Sequence, residues 1–494
     1  MLYNQMYRRR GRERGVGGSQ KEERVKREDA GQLERCSSRQ LWALALPLVL
    51  SQGFATLQVT VDRVLLSRHD PREVAAAFPA MMVFWLALGL CQGTVGYVST
   101  FVAQYWGAGR QERAGAAVWQ GIYLAGVLGV LFPLVEPVLE AVAGWGAGTE
   151  EVWELERVYL QYLSFAALPM LLVSAVTGFF SGLGRTWVVL GIEAVGTVAN
   201  GVLGWVLIYG RCGFAEMGIA GAGLSTVAGA WVSATLGLSW MLLAQPRRRW
   251  GTPWWPAEWE LLGRLLRYGF PAGVQMFLEA LAFTLFTLLV GRLGVAAMTA
   301  TSLAVTLNML AFLPMLGLGQ AVGIVVGQKL GAHRPQEAEA VVWLGLRWTA
   351  GYMTLIAALY VGCPELLLAV FAPANAAAAD SFAKAAPLVP TLLACVALYS
   401  LADAGNVTFA SALRAAGDTR FVAWVTFAMA WPLMVLPTWF IIEHAHPWRQ
   451  NGLEEPLYAA WASATTYIIL MALCLGARFA TGVWKQMRLI EPAP

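Results

Sequence analysis

Four carboxylates, Asp62, Glu193, Glu279 and Asp403, lie inside stretches of the chain that are otherwise apolar. An acid held out of water costs several kcal/mol and is kept where it faces a partner, a water-filled space or a substrate. Tyr399 and Asp403 are four residues apart, so on a helix they stand one turn apart on one face, where a phenol and a carboxylate can meet a cation together. Glu279 follows Pro271 by about two turns, at a depth that lets it face Asp403. A pair of carboxylates there, with Tyr399 as a further oxygen, would bind Na⁺ or share a proton, because close like charges resist ionising together. On the residues alone both ions stay open. Asn200 lies two turns after Glu193 on a similar face, so with Asp62 these residues form a second candidate polar site or serve only to join helices. Asp62 is also close to Arg63, Arg68 and Asp70, where an interfacial ion pair would explain it.

The elements that carry these residues are membrane spans. Of 494 residues 57% are hydrophobic and 13% charged, against about a quarter charged in ordinary soluble proteins. A membrane helix needs about 20 apolar residues. Such stretches recur twelve times, at 41–66, 75–103, 114–143, 157–178, 187–210, 218–244, 264–292, 296–328, 338–371, 386–413, 420–442 and 456–484. A soluble helix keeps a polar face, yet Leu163 to Thr177 contains no charged residue. The fold class read from this pattern is an all-α polytopic membrane protein.

Residues 1–40 are rich in Arg, Lys and Glu, with Arg8, Arg9 and Arg10 in one run. They have no apolar core of signal-peptide length, so they read as a disordered cytoplasmic tail that anchors at the membrane rather than binds nucleic acid. With that tail inside, the cytoplasmic loops hold Arg110, Arg113, Arg185, the Arg247–Arg249 cluster, Lys329, Arg334, Arg414 and Arg420. The opposite loops are richer in acid, with Glu150, Glu151, Glu154, Glu216, Asp380, Glu454 and Glu455. That Arg/Lys bias places both termini in the cytoplasm. The six cysteines occur singly, which suggests neither a metal cage nor a disulfide framework. A phosphate-binding loop, a metal-spaced His pair inside a span and a nucleophile elbow are all missing, so the chain reads as no enzyme, needing no cofactor, driven by an ion gradient. One charge moved through 100 mV releases about 2.3 kcal/mol, roughly fifty-fold in concentration.

The two halves repeat one design. AQYWGAGRQERAGAAVWQG after the second span matches GQKLGAHRPQEAEAVVWLG after the eighth without a gap. Gln104, Gly107, Arg110 and Trp119 fall on Gln328, Gly331, Arg334 and Trp343, and the same offset carries Pro47 onto Pro271. Under it Asp62 falls on Phe286 and Glu279 on Ala55, so those acids belong to neither shared scaffold. Six spans per half is an even number, which gives both halves the same orientation, as two pseudo-symmetric bundles around a central cavity. The organisation read is a 1–40 tail, a 41–244 lobe, a 245–262 cytoplasmic linker, a 263–485 lobe and a 486–494 tail.

Several segments resemble the multidrug and toxin extrusion (MATE) family, in particular its NorM-like branch, from Leu41 to about Lys485. LALPLVLSQ with VTVDRVLLSR resembles its first span, FSGLGRT its fourth-span turn, NGVLGWVLIYG with GIAGAGLSTVAG its fifth and sixth spans, GFPAGVQMFLEA its seventh and LYSLADAGNVTFASALRAAGDT its tenth. The resemblance implies a cation-coupling role for Glu279, Tyr399 and Asp403, and a first-lobe polar site around Asp62 and Asn200. Many members carry a second Asn or Asp four residues after that Asn, where this chain has Gly204, which puts the first-lobe site second. The expectation is therefore an antiporter of the bacterial inner membrane, working as a monomer, that exports amphipathic and often cationic organic molecules against Na⁺ or H⁺. The alternatives are a flippase for a lipid-linked saccharide, which usually needs a cationic cavity for phosphate, and a membrane receptor that transports nothing.

Overall fold

The computed structural model describes residues 18–144, 150–243, 254–370, 382–444 and 454–491. Among them no strand occurs, and 12 helices are long and apolar enough to cross a membrane. Spans 1 to 6 are Ser38–His69, Arg72–Gly107, Gln111–Gly144, Glu150–Gly182, Thr186–Ile208 and Gly218–Leu242. Spans 7 to 12 are Trp259–Gly291, Val295–Gly331, Pro335–Gly362, Val389–Ala416, Thr419–Glu443 and Glu455–Ala480. Large apolar side chains such as Leu134, Val130 and Trp424 stand on the outer surface of the bundle, as expected where lipid replaces water.

Proline punctuates the helices. Span 3 tightens to a 3₁₀ turn at Phe132–Val135, which contains Pro133, and span 11 loosens to a π turn at Trp431–Val435, which contains Pro432. A residue without an N–H leaves a carbonyl to be paired with a shifted partner. Span 9, expected to run to residue 371, ends at Gly362 because Cys363 leaves the helical region before Pro364. A separate short helix, Pro364–Val370, follows.

Three boundary expectations change. The helix that becomes span 1 starts at Gly18, within the segment read as a disordered tail. Its Lys, Glu, Arg and Gln residues have high intrinsic helix propensity, and no proline separates them from the span. Span 7 starts at Trp259, inside the expected 245–262 linker. Residues 487–491 do not trail off but fold back over the bundle. Residues 1–17, the Arg247–Arg249 cluster and Asp380 lie outside the described residues.

The internal repeat governs packing. In the first half span 1 packs on 5, 5 on 6, 4 on 6 and 2 on 4; in the second half 7 packs on 11, 11 on 12, 10 on 12 and 8 on 10. The contacts between halves, span 2 with span 7 and span 8 with span 1, exchange with each other under the same operation. The apolar core of the first half continues without a break into the ends of spans 8 and 10 and the segment after span 12. The opposite half of spans 7, 8, 10 and 12 has a core of its own. The halves are thus fused at one end, called the junction below.

At the junction spans 2 and 8 cross backbone against backbone. A methyl group on Gly107 would sit 1.9 Å from the Gln328 carbonyl oxygen, and one on Gly331 would sit 2.0 Å from that of Gln104. Gln104 Nε2 donates to the Ala415 carbonyl at 2.8 Å, and Gln328 Nε2 donates to the Gly182 carbonyl at 2.9 Å. Gly182 and Ala415 occupy equivalent places, each two residues before a left-handed glycine that ends its helix, Gly184 (φ +77) and Gly417 (φ +102). The last carbonyls of spans 4 and 10 have no partner in their own helix, and a glutamine from the other half supplies it.

A second fastening crosses the same end. Trp484 is buried and stacks on Phe479, with 4.9 Å between ring centres. Leu489 is buried against Gly417. Beyond them, Glu491 accepts hydrogen bonds from Tyr105 at 2.7 Å, Arg110 Nη2 at 2.8 Å and Arg113 Nε at 3.0 Å, and also from Arg264. Tyr105, Arg110 and Arg113 come from the first half and Arg264 from span 7. Burial alone would raise the Glu491 carboxyl, but hydrogen bonds from Tyr105 and Arg264 and the Arg264 charge hold it down at about 2.

Gly107→Ala and Gly331→Ala should each cost about 1–3 kcal/mol by overpacking and lower the unfolding temperature of the purified protein by similar amounts, as equivalent positions must. A negligible change at either would mean that spans 2 and 8 do not touch there. Because the Glu491 carboxyl is depressed, its stabilisation is complete above the ordinary value of 4.5 and disappears as pH falls through about 2. Glu491→Gln should therefore melt below the parent protein at neutral pH, with the gap narrowing on acidification; a gap that ignores pH would refute the ion cluster.

Candidate functional site

In the second lobe, span 10 places Tyr399 and Asp403 one turn apart, with Tyr399 buried and Asp403 half-buried. They interact electrostatically, and Asp403 is also within Coulombic range of Glu279 on span 7. Two of the three residues selected for cation chemistry thus share one face of span 10, and the third, Glu279, is within Coulombic range of Asp403 from span 7. Glu279 lies mid-span and is exposed on the surface of the helix bundle. Met276, three residues earlier and on a neighbouring face of the same helix, lies beside Gly89 of span 2.

Neighbours not selected from sequence border this site. Asn406 Nδ2 donates to Asp403 Oδ1 at 3.3 Å and to the Ile468 carbonyl at 3.1 Å, while its Oδ1 has no partner. Tyr467 on span 12 interacts electrostatically with both Glu279 and Asp403. Gln275, one turn before Glu279, donates to Glu279 Oε1 at 2.8 Å. Arg414 Nη1 donates to Gln275 Oε1 at 3.3 Å, so the hydrogen-bonded route from the arginine to the glutamate runs through the amide, while the two charges also act on each other directly without a salt bridge between them. The spacing of three from Asp403 to Asn406 and of four from Gln275 to Glu279 was a usable signal. Tyr467 had none, because it arrives from a helix remote in sequence.

The first-lobe residues assemble more tightly than expected. Asp62 and Asn200 are buried, at 3% and 0% exposure, and the Asn200 amide is within hydrogen-bonding reach of the Asp62 carboxylate. Asn200 Nδ2 also reaches Thr226 Oγ1 at 3.4 Å. Tyr159 on span 4 interacts electrostatically with Asp62. Asp62 Oδ1, Asn200 Oδ1 and the Tyr159 hydroxyl are buried with no hydrogen-bond partner. Buried oxygens are normally satisfied, and oxygens left in excess of donors suit a hard cation or a proton. Asp62 does not pair with Arg63, which stacks over Phe78 at 4.9 Å instead. Glu193 stays apart from this cluster, half-buried two turns below Asn200, and accepts no hydrogen bond among the described residues.

Gly204 borders the same cluster. A methyl group there would lie 3.3 Å from a Leu65 methyl, 3.4 Å from Ser225 Oγ and 3.8 Å from Asp62 Oδ1. The two nearest atoms are ends of side chains that can rotate. Gly204→Asn should therefore insert and fold, and its amide oxygen, added to the unpartnered set, should make the melting temperature respond more strongly to added Na⁺ than that of the parent. An aggregated variant, or one with no added Na⁺ response, would show that Leu65 and Ser225 cannot yield.

The comparisons agree with this architecture. The family model described as MatE matches twice, at residues 47–206 and 271–440, one copy in each half of the repeat. The chain is 29% identical over 465 residues to the multidrug resistance protein PmpM of Pseudomonas aeruginosa, covering 90% of this chain and 93% of that one. It is 30% identical over 402 residues to the probable multidrug resistance protein NorM of Deinococcus radiodurans, covering 80% and 86%. Among solved structures, an outward-facing multidrug resistance MATE family transporter superposes with a TM-score of 0.79 at 18% identity, over 92% of this chain and 98% of that one. The eukaryotic MATE transporter AtDTX14 gives 0.79 at 16% identity over 92% and 98%. With two copies of its model spread across twelve spans, the chain belongs to the MatE family and is a multi-pass membrane protein.

Proposed function

We propose that this protein is a cation-coupled antiporter that exports amphipathic, often cationic organic compounds by alternating access. The observation that carries the reading is the pair Glu279 and Asp403, two mid-span carboxylates within Coulombic range of each other and of Tyr467, with Tyr399 beside Asp403 and no salt bridge to either acid among the described residues, Arg414 acting on Glu279 from beyond Gln275. Such a pair is costly while charged, and a cation arriving from the side of higher electrochemical potential relieves that cost. The relatives named as multidrug resistance proteins support organic compounds as the cargo.

The first-lobe cluster of Asp62, Asn200, Tyr159 and Thr226 supplies a second cation position. Glu193, which stands apart with no partner, is offered as a contact for the positive end of a substrate. No residue needs a resident cofactor in this scheme, since the coupling ion is cargo. The junction, which carries Arg110, Arg113, Arg264, Lys329 and Arg334, is assigned to the cytoplasmic side. In that orientation the structure corresponds to a state closed inward, and rocking of the lobes about the junction gives the alternate state.

Asp403→Asn should insert normally and lose at least ten-fold in gradient-driven dye efflux from proteoliposomes, since the neutral amide cannot trade its charge for the ion. Running the assay under a Na⁺ gradient and a pH gradient separately identifies the ion. Undiminished efflux by Asp403→Asn under both gradients would remove the second-lobe pair from coupling.

A further inference from the structure

The junction is built from residues that the repeat supplies twice, but one chain of contacts leading into it exists in the second lobe alone. Glu279 holds the Gln275 amide N–H at 2.8 Å, the Gln275 amide oxygen holds Arg414 Nη1 at 3.3 Å, and Arg414 Nη2 reaches Ser411 Oγ at 3.3 Å. The orientation of the amide is set by its partners, since a carboxylate can only accept and a guanidinium can only donate. Arg414 is also where the first lobe docks. Tyr97 of span 2 donates its hydroxyl to the Arg414 carbonyl at 2.6 Å, and Gln104 binds the carbonyl of the next residue, Ala415. Tyr97 stands at a break in span 2, between the helices Pro71–Gly96 and Val98–Gly107. The carboxylate site and the docking point are therefore two side chains apart.

In the equivalent places of the first half stand Ala55 for Glu279, Ser51 for Gln275 and Ser181 for Arg414. Ser51 turns back to the Pro47 carbonyl of its own helix at 2.9 Å and makes no bridge. The three second-lobe residues are replaced together, whereas the docking glutamines and glycines around them are kept in both halves. A group of residues that comes and goes as a set, inside a scaffold that is constant, acts as a unit.

Resting on the antiport reading above, we infer that Gln275 is a positioning residue that transmits cation occupancy of the Glu279–Asp403 site to the junction through Arg414. While Glu279 is anionic, its bond to the amide is charge-assisted and roughly twice as strong as a neutral one. The amide oxygen is then aimed at Arg414, and the end of span 10 is held where Tyr97 and Gln104 seat on it. A cation at Glu279 removes both the charge that fixes the amide and the field that draws in Arg414. The span 10 end is released, and the first lobe loses its seat. An amide between the two charges prevents a direct Glu279–Arg414 ion pair, which would neutralise the carboxylate permanently and leave it no use for a travelling ion.

The test separates ion binding from its transmission. Glu112 and Gln336 are exposed, repeat-equivalent residues at the junction ends of spans 3 and 9. Spin labels placed on cysteines at these two positions, in a background whose six native cysteines are replaced by alanine, report the separation of the lobes in the full-length protein. Sodium chloride compared with choline chloride, and an acid step compared with neutral buffer, should lengthen the label separation in the parent. In Gln275→Met, of similar length but without an amide, that response should fall roughly five-fold, while the cation-dependent rise in melting temperature persists. Gln275→Asn, too short to reach both partners, should behave the same way and serves if the methionine variant does not fold. A parent-like distance response in either variant overturns the relay, as does loss of the melting response together with the distance response. A parent that answers neither cation overturns the relay and the antiport reading together, whereas a failed relay in a responsive parent leaves that reading intact.

Discussion

Helix ends inside a membrane protein leave carbonyls that neither water nor their own helix can satisfy, and the arrangement of the two lobes follows from how that need is met. The last turns of spans 4 and 10 each receive a glutamine amide from the opposite half, Gln328 on Gly182 and Gln104 on Ala415. For those amides to reach, spans 2 and 8 must cross at backbone distance, which the glycines at 107 and 331 permit. One polar requirement, met twice, sets the depth, angle and register at which two six-helix bundles dock. The Glu491 cluster then fastens the same end with charge.

Against that symmetric frame the charges are placed asymmetrically. The first lobe seals its oxygens, Asp62, Asn200 and Tyr159, in a buried cluster short of donors. The second lobe sets Glu279 and Asp403 in a more open site that leads by way of Gln275 and Arg414 to the docking point. Duplication supplies two matching bodies; divergence of a few polar positions makes them chemically different. An acid within a membrane span is expensive in either lobe, and in the antiport proposed above that cost is what ties conformation to ion occupancy.

The amino-acid sequence by itself determined the number of spans, the repeat, the even half-length that makes the lobes parallel, and the local pairs on a single helix. Lipid allows no long apolar stretch to do anything but cross, and a spacing of three or four on a helix fixes a shared face; these are short-range rules. Tyr399 with Asp403, and Asn200 as the polar residue of span 5, were legible for that reason. Helix continuation at Gly18 and the end of span 9 before Pro364 were local too, but there helix propensity and a proline outweighed the reading of composition.

Only the tertiary structure decided which residues meet across helices. Nothing near Tyr159, Thr226 or Tyr467 in the chain marks them as neighbours of Asp62 or Asp403, because they arrive from spans 97, 164 and 64 residues away and are placed by packing. The same holds for Glu491, which lies 386 and 381 residues from Tyr105 and Arg110 in sequence, and for Arg414, which reads as a loop cation until span 7 is laid beside it. Hydrophobic periodicity records how each helix meets its solvent; it carries no information about which helix stands opposite, and that is settled by the crossing at the junction.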